Sequence, residues 1–175
     1  MIVEEWRILI YLLDQNNGQA WYFEVDEEGT AFRQMLLEDG KESKISNQKK
    51  FEFFLSDQDL DINDPNFIRI LREEFEQLWQ TLNQDQQPLW QKIKQTLPTG
   101  TIVNGYIEVF YPQGVIVNIP AYSALGLADY EECAANSKQK NMHKDLQVQA
   151  EIIGYDDVNL WVLLGHPKVS DERWN

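Results

Sequence analysis

The sequence predicts an α+β fold: an N-terminal antiparallel β-meander with helices, followed by a small five-stranded β-barrel. Three observations predict it. Apolar and polar residues alternate over residues 6–37, between clusters of Asn, Asp and Gly. Apolar residues then recur at three- and four-residue steps from Phe67 to Leu82. A second alternating stretch, residues 97–164, is punctuated by Gly100, Gly105 and Gly114.

Residues 6–13 read as a first strand, and the turn cluster Asp14, Asn16, Asn17 and Gly18 ends it. Residues 19–25 form a second strand, turned by Asp26 and Gly29, and residues 30–37 a third, closed by Asp39 and Gly40. Such runs are antiparallel hairpins. A further strand is expected over 51–55. Asp64 followed by Pro65 reads as an N-cap with proline at the first helical position. Phe67, Leu71, Phe75, Leu78 and Leu82, with Trp79, form the buried stripe of that helix. Pro88 restarts a shorter helix, and Pro98 and Gly100 end it after Leu97. The expected organisation is therefore residues 1–97, a barrel over 98–167, and a tail of 168–175.

In the barrel segment Val103, Gly105, Ile107 and Val109 fall on one strand face, and Asn104, Tyr106, Glu108 and Phe110 on the other. Val117, Val148, Ala150 and Ile152 join Val103, Ile107 and Val109 as expected interior residues. Gly105 suits a sharply coiled strand. Asp156 and Asp157 turn the chain into a last strand over 159–164.

The opening GTIVNGYIEVFYPQGVIVNI and the closing KDLQVQAEIIGYDDVNLWVLL resemble the S1-type OB domain, an RNA-binding module. The resemblance covers about residues 98–164, under half the chain; residues 1–97 resemble no such module. It implies a five-stranded OB barrel and an RNA-contact face. The chain departs from the family pattern on that face. The family places an aromatic directly before the third glycine and another two residues after it; here Gln113 and Ile116 stand there. Its third strand ends in histidine; here Gly126, Leu127 and Ala128 lead to Asp129. Single-stranded nucleic acid is held by base stacking, worth roughly 1–3 kcal/mol per base, within a positive groove. The stacking rings are missing and an acid repels phosphate. Tyr106, Phe110, Tyr111, Tyr122 and Tyr130 are the remaining aromatics that could stack. Lys138, Lys140, His143 and Lys144 form a basic cluster, read as a solvated loop.

The net charge of −14 is spread over both halves. It opposes nucleic acid and anionic membrane, and it attracts basic proteins. A single cysteine, Cys133, excludes an intramolecular disulfide. The start, MIVEEW, lacks a basic n-region, so a cytoplasmic setting is expected. Asp57, Asp59, Asp61 and Asn63 alternate like a calcium loop. They lack its sixth-place glycine, which is Ile62, and its twelfth-place acid, which is Ile68. Cys133, His143 and His166 lack zinc-ligand spacing. No nucleophile elbow or phosphate loop is present, so neither an enzyme nor a metal or cofactor is expected.

The expected function is that of a non-enzymatic binding protein. Its acidic S1-like barrel would engage a basic protein, in the manner of inhibitor or immunity proteins. The alternative is an S1-type protein that binds RNA or single-stranded nucleic acid. The candidate binding residues are Tyr106, Tyr111, Gln113, Ile116, Asp129, Tyr130, Glu131 and Glu132. Charge reversal at Asp129, Glu131 and Glu132 is expected to slow association with little effect on stability.

Overall fold

The computed structural model describes residues 7–138 and 141–175. Trp6 in the expected first strand, the MIVEEW start and Lys140 of the basic cluster lie outside the described residues. The chain divides into two compact units, the first ending at Asp85 and the second starting at Gln86. The sequence reading put this division after Leu97. The difference is the second helix, whose Trp90, Ile93 and Leu97 belong to the core of the barrel.

In the first unit, β1 (Ile10–Asn16), β2 (Gln19–Val25) and β3 (Ala31–Glu38) form the expected meander. The β1–β2 hairpin closes on Asn17 and Gly18, both at positive φ (47° and 78°). That pair favours the two-residue turn whose twist matches the strands. The sheet order is β4-β3-β2-β1-β5, where β4 is Lys44–Ile45 and β5 is Ile68–Arg69.

Two local readings are corrected here. Residues 51–55 are not a strand: Lys49–Phe51 is a 3-10 turn, and Glu52 and Phe53 adopt left-handed backbone. The first helix, α1 (Arg72–Leu82), begins well after Asp64. Asp64 does accept a backbone N–H, from Asn66 at 2.9 Å, but within a turn. The chain then pairs Ile68 and Arg69 with Leu13 and Leu12 before it coils. Sheet pairing at the edge thus outcompetes the local helix signal. Phe67 consequently packs edge to face on Phe23, with centroids 5.9 Å apart, away from the helical stripe.

Phe75 and Trp79 of α1 cover one sheet face with Tyr11, Met35 and Ile45. Charge is buried on this face. Arg33 bonds Glu24 through Nε (2.9 Å) and Glu76 through Nη1 (3.1 Å), and Tyr11 donates its hydroxyl to Glu24 (3.0 Å). The guanidinium stacks 4.9 Å from the Phe75 centroid and 5.0 Å from that of Trp79. Bonds from both carboxylates push the Arg33 pKa up despite its burial.

The second unit begins with α2 (Gln87–Thr96), which carries Pro88 in its first turn as expected. The strands β6 (Ile102–Tyr111), β7 (Gly114–Ile119), β8 (Ala124–Ala128), β9 (Leu146–Asp156) and β10 (Trp161–Arg173) close a barrel in the order β10-β8-β7-β6-β9. β8 and β10 run parallel; the other neighbours are antiparallel. This is a mixed five-stranded barrel consistent with an OB-like fold. A Cβ on Gly105 would lie 2.0 Å from the Asn118 carbonyl oxygen, so only glycine fits where β6 coils against β7.

Val103, Ile107, Val117, Val148, Ala150 and Ile152 fill the interior as the alternation predicts. Val109 does not belong to it. The β6–β7 register slips between Ile107 and Val109, and such a bulge breaks the alternation. Glu108 is buried there instead and accepts Asn118 Nδ2 at 2.8 Å.

The expected tail also differs. β10 runs on through Arg173, pairing Lys168 with Gln149 and Val169 with Val148. A register shift between Gly165 and Lys168, at His166 and Pro167, hides this continuation in the sequence.

Helix α2 is tied to the β9–β10 turn. Asp157 Oδ1 accepts Trp90 Nε1 and Lys94 Nζ, each at 2.8 Å. These bonds, that of Lys94 first, hold the Asp157 carboxyl below its ordinary range. Tyr155 donates to the Leu97 carbonyl at 2.7 Å.

Candidate functional site

The end of β8 leads into an exposed acidic and aromatic turn. Asp129 follows Ala128 and leaves the strand with extended backbone. Its carboxylate accepts the Glu132 N–H at 2.9 Å, which starts α3 (Tyr130–Ala135). Asp129 is therefore a helix N-cap. One α3 residue, Cys133, anchors the helix in the barrel core. Tyr130, Glu131 and Glu132 are left exposed.

Tyr130 meets Phe110 of β6, with ring centroids 6.0 Å apart and planes at 70°. Both rings are open to solvent, Phe110 at 40% and Tyr130 at 49%. The pair lies beside the acidic first turn of α3. Charge there is felt inside the barrel. Burial first, then Asp129 and Glu132, push the Cys133 thiol up to about 12. A thiol held protonated in this way is no nucleophile.

Four of the eight candidate residues thus stand together and exposed: Asp129, Tyr130, Glu131 and Glu132. The other four lie elsewhere. Tyr111 is buried 6.0 Å from the Trp161 ring, and burial raises its phenol pKa. Ile116 is fully buried on the β7 face opposite Val115 and Val117. Gln113 sits half-buried in the tight β6–β7 turn. Tyr106 pairs with Trp174 at 5.7 Å, not with the Phe110–Tyr130 pair.

Phe110 is the partner that the candidate set omitted. Its signal was present in the sequence, since it lies on the outward face of β6. Trp174 carried no signal, because the strand that brings it to Tyr106 was read as a tail.

His143 Nδ1 donates to the Lys144 carbonyl at 2.8 Å, and Lys138 is exposed. Asp59 accepts the Thr30 hydroxyl, and Asp61 accepts the Asn63 N–H. Of these acids of the calcium-like run, Asp61 is engaged in a local turn and Asp59 in a contact to the β2–β3 connection. Among the described residues, no group of three or more His, Cys, Asp or Glu side chains is arranged to hold a metal. No helix among them is long and apolar enough to cross a membrane.

Comparison with protein-family models, with curated proteins and with solved structures finds no match to this chain.

Proposed function

We propose that the barrel is a divergent S1-like OB module that serves protein recognition, with the Phe110–Tyr130 edge as its contact for a basic partner. The observation that carries this reading is the exposed aromatic pair beside Glu131 and Glu132. A lysine or arginine side chain is bound well by such a combination. The ring faces attract the cation, and the carboxylates pair with it at the rim. Aromatic anchors ringed by charge also match the anatomy of protein interfaces. The strand order, with β8 and β10 parallel, supports the OB assignment.

The same features speak against nucleic acid as the main ligand. Gln113, Ile116 and Asp129 occupy the places of the family's contact groups, and the chain carries a charge of −14. Phosphate neutralisation needs clustered cations, and this edge offers carboxylates.

A fluorescein-labelled arginine-rich peptide of about ten residues, long enough to span the edge at ~3.3 Å per residue, tests the reading by anisotropy with the full chain. Binding that weakens in Phe110→Ala and Tyr130→Ala, with no comparable binding of a single-stranded oligonucleotide, is expected. Tighter binding of the oligonucleotide at physiological salt would overturn it.

A further inference from the structure

A second surface of the barrel has the opposite chemistry. A groove of about 450 Å³ runs over the outer faces of β6, β9 and β10. Asn104, Gln149 and Lys168 stand in register across its three strands. Gln147 lies beside Tyr106 in the next row, and Trp174 ends the groove against the Tyr106 ring. Lys138 borders it where its N–H bonds the Val169 carbonyl of β10. Among the described residues no carboxylate lines it, in a chain with 29 acids. Neither Lys138 nor Lys168 is held in an ion pair among the described residues.

We infer that this groove binds an extended acidic peptide segment of a partner protein, a site independent of the Phe110–Tyr130 edge. Three features of the groove carry the inference. The first is charge complementarity: two free ammonium groups flank an acid-free channel and are placed to receive carboxylates. The second is the amide row. Asn and Gln side chains each carry a donor and an acceptor, which matches the peptide unit. Gln147 spends its Nε2 on the Arg173 carbonyl (3.0 Å), and Asn104 and Gln149 share one long contact of 3.4 Å. The row therefore keeps hydrogen-bonding capacity. This matters because β9, the middle strand of the groove, is paired on both sides, with β6 and with β10, and Val169 of β10 is bridged on its other side by Ser137. A segment laid across this face meets side chains and not a free strand edge, so its backbone must be read by side chains. The third is the aromatic end, where Trp174 over Tyr106 offers an anchor for an apolar side chain.

A polyanion fits less well. Nucleic acid brings one charge per phosphate and relies on many cations, whereas this groove supplies two on a strongly acidic chain. A peptide with a few acids spaced along it meets both lysines at lower long-range repulsion.

The test is anisotropy with the full chain and a fluorescein-labelled peptide of about ten residues, which spans the groove at ~3.3 Å per residue. The peptide alternates Glu and Ser around one central Phe. Saturable binding is expected. It should weaken roughly tenfold or more in the Lys138→Glu/Lys168→Glu double variant, and also in Trp174→Ala. Phe110→Ala should leave it unchanged, which separates this site from the edge. Binding should be lost when the Glu residues of the peptide become Gln. Three results would overturn the inference: no saturable binding, equal binding by the double lysine variant, or tighter binding of a single-stranded oligonucleotide of equal length. A dimer in sedimentation that dissolves in the double variant would assign the groove to a second copy of the chain and equally overturn it. Circular dichroism of each variant confirms folding, which these exposed positions should not disturb.

Discussion

The carboxylate of Asp129 caps the helix that presents Tyr130, accepting the Glu132 N–H at 2.9 Å. The residue that caps α3 thus also builds the acidic, aromatic edge. Asp129→Ala should therefore act on structure first. A lost cap costs about 0.5–2 kcal/mol, measurable by urea denaturation. Reversal of Glu131 or Glu132, which cap nothing in the structure, should change stability by less than ~0.5 kcal/mol. Asp129 accordingly does not share the structural neutrality expected for all three acids.

The buried Arg33 cluster should be the most sensitive point of the first unit. Arg33→Met keeps much of the packing on Phe75 and Trp79 but strands Glu24, which is only 6% exposed. Breaking a buried ion pair from one side costs about 3–5 kcal/mol. Urea denaturation of the variant should show a loss of that order. Arg33→Lys should recover part of it at most, since an ammonium lacks the planar array of donors and the ring stacking with which Arg33 meets both carboxylates.

Tyr11 gives a signature at high pH. Burial first, and then Glu24, raise its pKa to about 12. An unfolded tyrosine ionises near ~10. The folded state thus holds a proton that the unfolded chain gives up. Its contribution to stability is complete below ~pH 10 and is lost as pH rises toward 12. Tyr111, raised by burial, adds to the loss in the same direction. Thermal melts across this range should show a falling midpoint. Tyr11→Phe should reduce the fall. An identical alkaline profile in that variant would contradict the assignment.

Much of the fold could be read from the sequence because its signals were local. The Asn17–Gly18 turn, the Pro88 helix start and the alternation around Val148, Ala150 and Ile152 each follow from a few neighbouring residues. The misread places involve competition between levels. Asp64 and Pro65 look like a helix start, but pairing of Ile68 and Arg69 with β1 claims the chain first. Bulges at Val109 and at His166–Pro167 shift the period of two, so one interior residue was misplaced and the end of β10 was missed. For the site, Tyr130, Glu131 and Glu132 were legible as an acidic aromatic run. The pairing of Tyr130 with Phe110 was not, because it joins a residue of α3 to one of β6, far apart in the sequence.

Cys133 should be silent toward thiol reagents in the native state. Its thiol is fully buried and pushed up to about 12. Alkylation by iodoacetamide at pH 8 should be slow in buffer and fast in denaturant. Equal rates in both would show that α3 does not hold its place against the barrel.

The central claim is that the acids beside Phe110 and Tyr130 serve recognition of a cationic partner. It is tested most directly by the association rate of the labelled arginine-rich peptide, measured by stopped flow against salt. The wild-type rate should fall steeply as the Debye length shrinks toward about 8 Å at physiological salt. The Glu131→Lys/Glu132→Lys variant should associate roughly tenfold more slowly at low salt, with its unfolding midpoint nearly unchanged. A rate indifferent both to salt and to this double reversal would contradict the account.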